Sequence, residues 1–309
     1  MEKKAKALVL LSGGLDSILA VKLLLEQGIE VEAVNFRTNF CGPSKARPAA
    51  EMLGVPLREV NIRREFLPIL KNPQHGYGAG LNPCIDCHAL MLKKAGEIMR
   101  AEGFDLVATG EVLGERPMSQ HKQALDIVEK DADLKGYLLR PLSAKLLAPT
   151  LAEQDGRVDR EKLLDISGRS RKRQMALAAQ YGIKEYPTPA GGCALTQKEF
   201  AGRLKELMDN KPDFTPEDVD LVAFGRHFWI SDIQIILGRN QEENDILAST
   251  AKKGDTLIIP DDWPGPTALV RGGGDEPIIS KARELIVQFS AKAKKLPPGQ
   301  LEFKITKVD

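Results

Sequence analysis

Short apolar runs alternate with helical patterns over the first 109 residues, and this alternation restricts the fold of the chain more than any other feature. The apolar runs fall at residues 7–11, 31–36, 57–61 and 106–109. The helical patterns between them fall at residues 16–27, 44–53 and 88–101. A repeated strand, helix, strand order predicts a Rossmann-like α/β fold, a parallel sheet with helices on both faces. Such sheets bind ligands at the carboxyl ends of their strands.

The pattern changes beyond residue 215 and predicts a second, small α+β domain. Its strand-like runs fall at residues 221–224, 233–237, 256–259 and 267–270, and its helical patterns at 241–251 and 279–294. The segment Asn-Lys-Pro-Asp-Phe-Thr-Pro at residues 210–216 has the composition of a linker. We therefore predict two domains, 1–209 and 215–309, with a basic helical part at about 157–209 in the first.

Charge is balanced over the whole chain but not locally. The 309 residues include 44 Lys and Arg against 43 Asp and Glu, so the net charge of +1 provides no global field for nucleic acid. Residues 157–173, however, hold seven basic residues against three acidic ones. Such a cluster is typical of contacts with a phosphate backbone, and a solvated helix face is the alternative. The candidates for nucleic-acid contact in this cluster are Arg169, Arg171, Lys172 and Arg173.

Four cysteines are too few for a disulfide framework at this length, which favours a reducing compartment. No apolar run reaches the roughly 18 residues that cross a bilayer, so we expect a soluble, cytoplasmic protein with no membrane partner. Cys84 and Cys87 form a Cys-x-x-Cys pair, and Cys193 follows a Gly-Gly dipeptide. Three thiolates suit a 4Fe-4S cluster with one open iron, a zinc site, or metal-free persulfide exchange. A fourth ligand would come from Cys41 or His88.

The strongest local signal is the sequence Ser-Gly-Gly-Leu-Asp-Ser at residues 12–17, between the first apolar run and the first helix. Two glycines in a strand-to-helix turn let backbone N–H groups approach an oxyanion, and the helix N-terminus adds a favourable dipole. The segment lacks the Gly-Lys-Ser/Thr ending of a Walker loop and the Gly-x-Gly-x-x-Gly of dinucleotide folds. It predicts a phosphate-binding turn of another type.

This turn resembles the PP-loop of the ATP pyrophosphatase superfamily, whose members use ATP to adenylate a carbonyl oxygen. The resemblance implies an adenine nucleotide alpha hydrolase-like domain that uses ATP with Mg²⁺. It also implies that Asp16 is a catalytic residue. The residues it assigns to pyrophosphate are Ser12, Gly13, Gly14, Leu15, Asp16 and Ser17, and those it assigns to adenosine are Val34, Phe36 and Gly110.

Two further motifs resemble tRNA thiolation enzymes. Residues 82–88, Asn-Pro-Cys-Ile-Asp-Cys-His, are similar to a segment of bacterial tRNA 2-thiouridylases in which the position of Cys87 is catalytic. A later Gly-x-Cys of those enzymes, matched here by Cys193, supplies their second cysteine. Residues 108–120 and 140–142 resemble segments of tRNA 4-thiouridine synthetases.

The resemblance implies ATP-dependent tRNA thiolation, in which a uridine carbonyl oxygen is adenylated and then replaced by sulfur. The sulfur would come from a cysteine-bound sulfur or from a 4Fe-4S cluster held by Cys84, Cys87 and Cys193, zinc being the other metal considered. The implied partners are tRNA and a sulfur donor protein or inorganic sulfide. Which uridine is modified and the oligomeric state stay open.

Residues 237–247 resemble NFACT-R domains, which are associated with RNA. The resemblance implies RNA contacts for Arg239 and Asn240, although an asparagine at a strand end also caps a following helix. Two rival hypotheses remain for the whole chain. The first is a PP-loop ligase or amidotransferase that acts on a small molecule and holds structural zinc. The second is a nucleotide-sensing protein that binds RNA or the ribosome.

Overall fold

A computed structural model describes residues 5–40, 45–186 and 193–309 of the chain. Two compact units are present, Met1–Gln197 and Lys198–Asp309. The division falls before the helix Lys198–Asn210, which the sequence analysis groups with the first domain. No helix in the described ranges is long and apolar enough to cross a membrane.

The first unit is built on a five-stranded sheet in which all strand pairs are parallel, in the order β3-β2-β1-β4-β5. Its strands are β1 (Lys6–Leu10), β2 (Glu30–Arg37), β3 (Leu57–Asn61), β4 (Leu106–Thr109) and β5 (Leu138–Leu139). The four longer strands confirm the predicted parallel sheet. Strand β5 was not predicted, because a pair of leucines is too short to give a periodic signal.

Seven helices accompany this sheet. They are α1 (Leu15–Glu26), α2 (Ala46–Leu53), α3 (Arg63–Lys71), α4 (Cys84–Glu102), α5 (Lys122–Asp131), α6 (Leu151–Gln154) and α7 (Lys172–Gln180). Alternate residues of β1 point to opposite faces, so Val9 packs in the core with α1 and α7 while Leu8 packs in the core with α4 and α5. Both faces of the sheet are therefore covered, which explains its continuous apolar strands.

Two helical predictions in this unit need correction. Helix α4 begins at Cys84, one turn before the predicted start near residue 88, so the Cys-x-x-Cys pair is part of the helix. The first part of the basic helical segment predicted at about 157–209 is not one continuous helix. Only a 3₁₀ turn at Arg160–Lys162 and α7 form, because Asp159 caps the turn and Gly168 adopts a φ of 80° in the connection.

The second unit is an antiparallel sheet with helices, in the strand order β10-β8-β9-β7-β6. Its strands are β6 (Arg226–Ile230), β7 (Ile233–Leu237), β8 (Thr256–Pro260), β9 (Ala268–Val270) and β10 (Phe303–Lys307). Its helices are α8 (Lys198–Asn210), α9 (Pro216–Leu221), α10 (Gln241–Thr250) and α11 (Glu276–Phe289). The predicted α+β class is confirmed, and β10 is an additional strand.

The strand predicted at residues 221–224 is wrong, because a helix occupies the start of that segment. Thr215 and Asp218 form a capping box with Pro216 in the first turn of α9, and these signals fix a helix up to Leu221. The strand begins only at Arg226, after a glycine in the left-handed region at Gly225.

Candidate nucleotide and thiol site

The turn between β1 and α1 has the shape of an anion-binding loop. Gly13 has a φ of 78°, and a Cβ there would lie 2.2 Å from the carbonyl oxygen of Lys45. Helix α1 starts after Gly14 with no side-chain cap among the described residues, so its first N–H groups are left for a ligand. The Ser17 hydroxyl donates to the Gly14 carbonyl over 2.8 Å and lies 3.2 Å from Ser12 Oγ.

Gly110 holds the end of β4 against the same turn. A Cβ at Gly110 would lie 2.4 Å from the backbone nitrogen of Ser17, so no larger residue fits without moving the backbone. The structure thus brings the predicted residues of 12–17 together with Gly110, at the carboxyl ends of the adjacent strands β1 and β4. Their assignment to ATP remains a prediction.

Val34 and Phe36, the other predicted adenosine residues, are 0% and 7% exposed and belong to the apolar core on one face of the sheet. The carbonyl of Val34 accepts a hydrogen bond from Leu11 N at 2.9 Å. The side chain of Asn35 between them donates to the Leu11 carbonyl over 2.8 Å. Contact between adenosine and this strand would therefore involve backbone or Asn35 rather than the two predicted side chains.

An ion-pair cluster adjoins the turn. Arg171 Nη2 lies 3.4 Å from Asp16 Oδ2, and Arg171 Nε lies 3.7 Å from Glu115 Oε1. All three side chains are largely buried, with exposed fractions of 15–22%. From the sequence, Arg171 is predicted to contact nucleic acid and Glu115 has no predicted role. The contact between Arg171 and Asp16 leaves no sequence signal, because 155 positions separate the two residues.

The two carboxylates fit a divalent cation. Burial raises the pKa of Asp16 in opposition to the charge of Arg171, and burial together with the charge of Asp16 raises the pKa of Glu115. Asp16 Oδ1 is buried and has no hydrogen-bond partner among the described residues. Carboxylate oxygens beside substrate phosphates are the ligands that Mg²⁺ prefers. Asp16 and Glu115 are therefore suited to the magnesium ion of MgATP.

A second cluster surrounds the first residue of α4. Cys84 and His88 are one helical turn apart, and His88 Nδ1 lies 2.8 Å from Glu111 Oε1. Glu111, only 6% exposed, accepts a hydrogen bond from Arg140 Nε at 3.0 Å and one from Thr109 Oγ1 at 3.1 Å. Arg140, Glu111 and His88 therefore form a chain of hydrogen-bonded side chains that ends at the Cys84 thiol. This chain is called the relay below.

The charges of this relay support one another. Burial would raise the pKa of Glu111, but Arg140 and His88 outweigh it and hold that pKa well below its usual range. Burial would lower the pKa of His88, but hydrogen bonds to Cys84 and Glu111 raise it. Burial likewise opposes ionisation of Cys84, yet the hydrogen bond and charge of His88 lower its pKa overall. A thiol with a lowered pKa is a better nucleophile at neutral pH.

Cys193 lies near the segment that precedes Cys84. Its thiol is 3.9 Å from the carbonyl of Phe40, and Leu81 N donates to the carbonyl of Leu195 over 3.0 Å. Cys41 lies outside the described residues. Within the described ranges no three His, Cys, Asp or Glu side chains are grouped closely enough to hold a metal ion, so the three cysteines as placed do not form a metal site.

The basic segment is mostly engaged in local ion pairs. Arg157, Arg160 and Lys162 pair with neighbouring acids, and Arg173 Nη2 lies 2.6 Å from Asp165 Oδ1. Arg171 turns to Asp16 instead. Two of the predicted nucleic-acid contacts, Arg169 and Lys172, are exposed and make no ion pair with any described residue.

In the second unit, Arg239 and Asn240 have local partners. Asn240 caps α10, because its side chain accepts a hydrogen bond from Glu243 N at 2.9 Å. Arg239 Nε lies 2.9 Å from Glu243 Oε1, and Arg239 N donates to Glu243 Oε2 over 2.8 Å. The predicted contact of Arg239 with RNA would use the part of its guanidinium group that stays exposed beside Glu243.

The parallel sheet, the glycine turn after its central strand and the paired carboxylate define the first unit as a PP-loop domain of the adenine-nucleotide type. Residues 3–145 match the family described as Thiamine biosynthesis protein (ThiI), and residues 225–307 match the NFACT protein RNA binding domain. The chain is therefore similar to the ThiI family over residues 3–145 and to the NFACT RNA binding domain over residues 225–307.

Curated relatives are tRNA-specific 2-thiouridylases. The protein from Syntrophus aciditrophicus is 28% identical over 228 residues, which cover 66% of this chain and 56% of the relative. The protein from Chloroflexus aurantiacus is 35% identical over 161 residues, which cover 45% of this chain and 44% of the relative. The chain thus spans about half the length of the curated relatives it matches.

Solved structures show more distant likeness. A 4-thiouridine synthetase in complex with RNA and ATP has a TM-score of 0.40 and 21% identity, over 58% of this chain and 41% of that one. A predicted subunit of a tRNA methyltransferase from Methanocaldococcus jannaschii has a TM-score of 0.40 and 16% identity, over 69% of this chain and 91% of that one. The fold assignment accordingly stands on the sheet topology and the match of residues 3–145.

Proposed function

We propose that this protein is an ATP-dependent tRNA thiolation enzyme of the cytoplasm. Two consecutive residues carry the proposal. Gly110 packs against Ser17 of the PP-loop, and Glu111 holds His88 beside Cys84. The end of β4 therefore joins an adenylation site to an activated thiol, and the similarity to 2-thiouridylases supports tRNA as the substrate.

In the first half-reaction, a uridine carbonyl oxygen attacks the α-phosphorus of ATP, the bond to the β-phosphate oxygen breaks, and pyrophosphate leaves. The turn of Ser12 to Ser17 would hold the pyrophosphate group through backbone N–H groups. Arg171 now pairs with both Asp16 and Glu115. When a cation binds these two carboxylates instead, the Arg171 guanidinium can contact the same phosphates. Magnesium bound at those carboxylates would neutralise charge that develops on the leaving pyrophosphate.

In the second half-reaction, a sulfur nucleophile adds to the activated carbon and the C–O bond breaks, so AMP leaves and a thiocarbonyl remains. We assign the sulfur to a persulfide on Cys87, whose outer sulfur adds to the carbon. Cys193 then attacks Cys87 Sγ, so the S–S bond of the persulfide breaks, the thiocarbonyl is released and a Cys87–Cys193 disulfide remains. Cys84 is the thiol that the His88 and Glu111 relay activates. A 4Fe-4S cluster on Cys84, Cys87 and Cys193 would be the metal-dependent form of this proposal; the cluster, or the less favoured zinc, would require these cysteines to come closer together than they lie in the described structure. Inorganic sulfide, supplied as such or by a sulfur donor protein, would restore the persulfide by attacking Cys87 of that disulfide, which is the oxidant of this step and releases Cys193 as a thiolate.

Nucleoside mass spectrometry tests this proposal. Purified protein is incubated anaerobically with ATP, sulfide and tRNA that lacks thiouridine, and the tRNA is then digested. We expect thiouridine to accumulate with the native protein and to be absent with Cys87→Ala and Asp16→Asn. Arg100→Ala, a change at an exposed ion pair with Asp133 in the first unit, is the matched control and keeps activity. Absence of thiouridine with native protein, with every sulfur source offered, would overturn the proposal.

A further inference from the structure

A cavity in the carboxyl-terminal unit has the properties of a binding site for a nucleobase. It measures about 360 Å³ and lies where three connections meet: the end of α8, the turn between β6 and β7, and the residues after β9. The residues of its lining that matter here are Lys211, Asp213, Asp232, Gln234 and Arg271. The volume exceeds what one planar base needs.

Two buried polar atoms have no partner among the described residues: one belongs to the lining residue Gln234, and the other to Trp229, which lies across the strand pair from it. Gln234 is 2% exposed, and its Oε1 atom accepts no hydrogen bond, although its Nε2 lies 2.9 Å from His227 Nδ1. Trp229 pairs directly across the strands with Gln234, so both side chains are on one face of the sheet. The buried Trp229 Nε1 donates no hydrogen bond. An unsatisfied buried acceptor and donor cost free energy unless a ligand satisfies them.

The charges at the cavity discriminate against an anionic ligand. Arg271 is nearly fully buried and bonds Asp218 at 2.9 Å and Asp255 at 2.7 Å, while Lys211 lies 3.1 Å from Asp218. Lys252 also lies 3.7 Å from Asp218, so three cations face Asp218, Asp255 and the two acidic lining residues at 213 and 232. Those two lining residues form no ion pair with any described residue. Apart from the N–H of Trp229, the polar groups without a partner are therefore acceptors, which require N–H donors rather than phosphate.

We propose that this cavity binds an unpaired guanine base of RNA, a proposal that rests on the proposed function for its RNA partner. Guanine presents two adjacent donors, N1–H and the N2 amino group, which suit the Gln234 carbonyl and the Asp232 carboxylate. Adenine offers one amino group beside a bare ring nitrogen. Unpaired bases are commonly read at their Watson–Crick edges and stacked on aromatic side chains. The indole of Trp229 lies on the same face of the sheet, directly across the strand pair from Gln234.

Binding of the full chain to short single-stranded RNA tests this site. Labelled oligo(U) carrying one central guanosine is compared with the same strand carrying one central adenosine, by fluorescence anisotropy at fixed salt. We expect about tenfold tighter binding of the guanosine strand, the size of one good base-edge contact. Asp232→Asn, at an exposed turn, and Gln234→Leu should both reduce that preference to less than about twofold and leave the adenosine strand unaffected. Gln288→Leu, at an exposed position of α11, is the matched control and keeps the preference for guanosine.

The assay distinguishes a failure of this binding site from a failure of the proposed thiolation activity. The assay contains no ATP or sulfur source, so its result does not depend on thiolation, and an inactive enzyme with intact guanosine preference would leave this inference standing. Thermal melting of both variants establishes that they fold. Equal binding of the two strands by native protein, or a guanosine preference that survives in folded Asp232→Asn and Gln234→Leu, would overturn it.

Discussion

Arg171 Nη2 lies 3.4 Å from Asp16 Oδ2, so a guanidinium from the start of α7 reaches the first turn of α1 beside the PP-loop. The contact joins residues that are 155 positions apart in the chain. It places a positive charge where ATP phosphates and their metal ion would bind. The predictions below follow from this contact and from the other clusters described above.

Arg171→Ala should slow ATP-dependent pyrophosphate release by roughly 10²-fold, because removal of one fixed donor from a developing anion typically costs that much. Arg171→Lys should recover part of the rate, since it keeps the charge but not the planar fork. The measurement is initial-rate pyrophosphate release at saturating tRNA. Arg100→Ala, whose partner is the exposed Asp133, should behave like native protein. Equal rates for Arg171→Ala and native protein would remove Arg171 from the site.

Gly110→Ala should destabilise the first unit and abolish nucleotide binding. The added Cβ would meet the Ser17 backbone at 2.4 Å, and such overpacking costs about 1–3 kcal/mol of unfolding free energy. Gly202→Ala is the matched control, because nothing lies within 4 Å of a Cβ there and alanine favours the helix by about 0.5–1 kcal/mol. Urea denaturation of both variants measures the difference. A Gly110→Ala protein as stable as Gly202→Ala would contradict the close packing of β4 on α1.

Alkylation of Cys84 should have a pH midpoint below the ordinary thiol value of about 8.5, because His88 stabilises the thiolate. In His88→Ala the midpoint should rise above that of native protein, since burial still opposes ionisation and the partner is gone. Iodoacetamide labelling followed by peptide mass spectrometry measures each cysteine separately. Cys193, whose thiol lies 3.9 Å from the Phe40 carbonyl, provides the internal control in the same sample. An unchanged Cys84 midpoint would exclude the relay.

Acid should destabilise the second unit through protonation of Asp218. Burial opposes ionisation of Asp218, yet the Thr215 backbone, Arg271 and Lys211 hold its pKa far below the ordinary 3.8. A depressed carboxyl pKa contributes stability above the unfolded value, and that stability is lost as pH falls below about 4. Asp218→Asn should therefore lower stability at pH 7 and flatten its pH dependence. Denaturation monitored at pH 7 and pH 3 checks this, and equal pH dependence in both proteins would contradict it.

The alternation of strands and helices predicts the parallel sheet, because burial on both faces leaves a continuous apolar signature in residues 7–11 and 106–109. The position of the phosphate-binding turn can also be predicted from the sequence. Its backbone conformation requires glycine at position 13, and the topology of the sheet brings Gly110 next to the turn. These features depend on short stretches of chain and on general rules of sheet topology.

Other features depend on tertiary contacts and leave no local trace. Nothing near Arg171 in the sequence distinguishes it from Arg169 or Arg173, and only folding directs it to Asp16. The same holds for Glu111, whose partners His88 and Arg140 lie 23 and 29 positions away. His88 alone carried a usable signal, because its spacing of four from Cys84 places both on one face of a helix.

The most direct test of the account is the product of ATP cleavage. Purified full chain is incubated with ATP and unmodified tRNA, and nucleotide products are separated by chromatography. We expect AMP and pyrophosphate in equal amounts. Both products should form only when tRNA is present, and neither should form with Asp16→Asn. ADP and phosphate as products, or no tRNA-dependent cleavage at all, would contradict it.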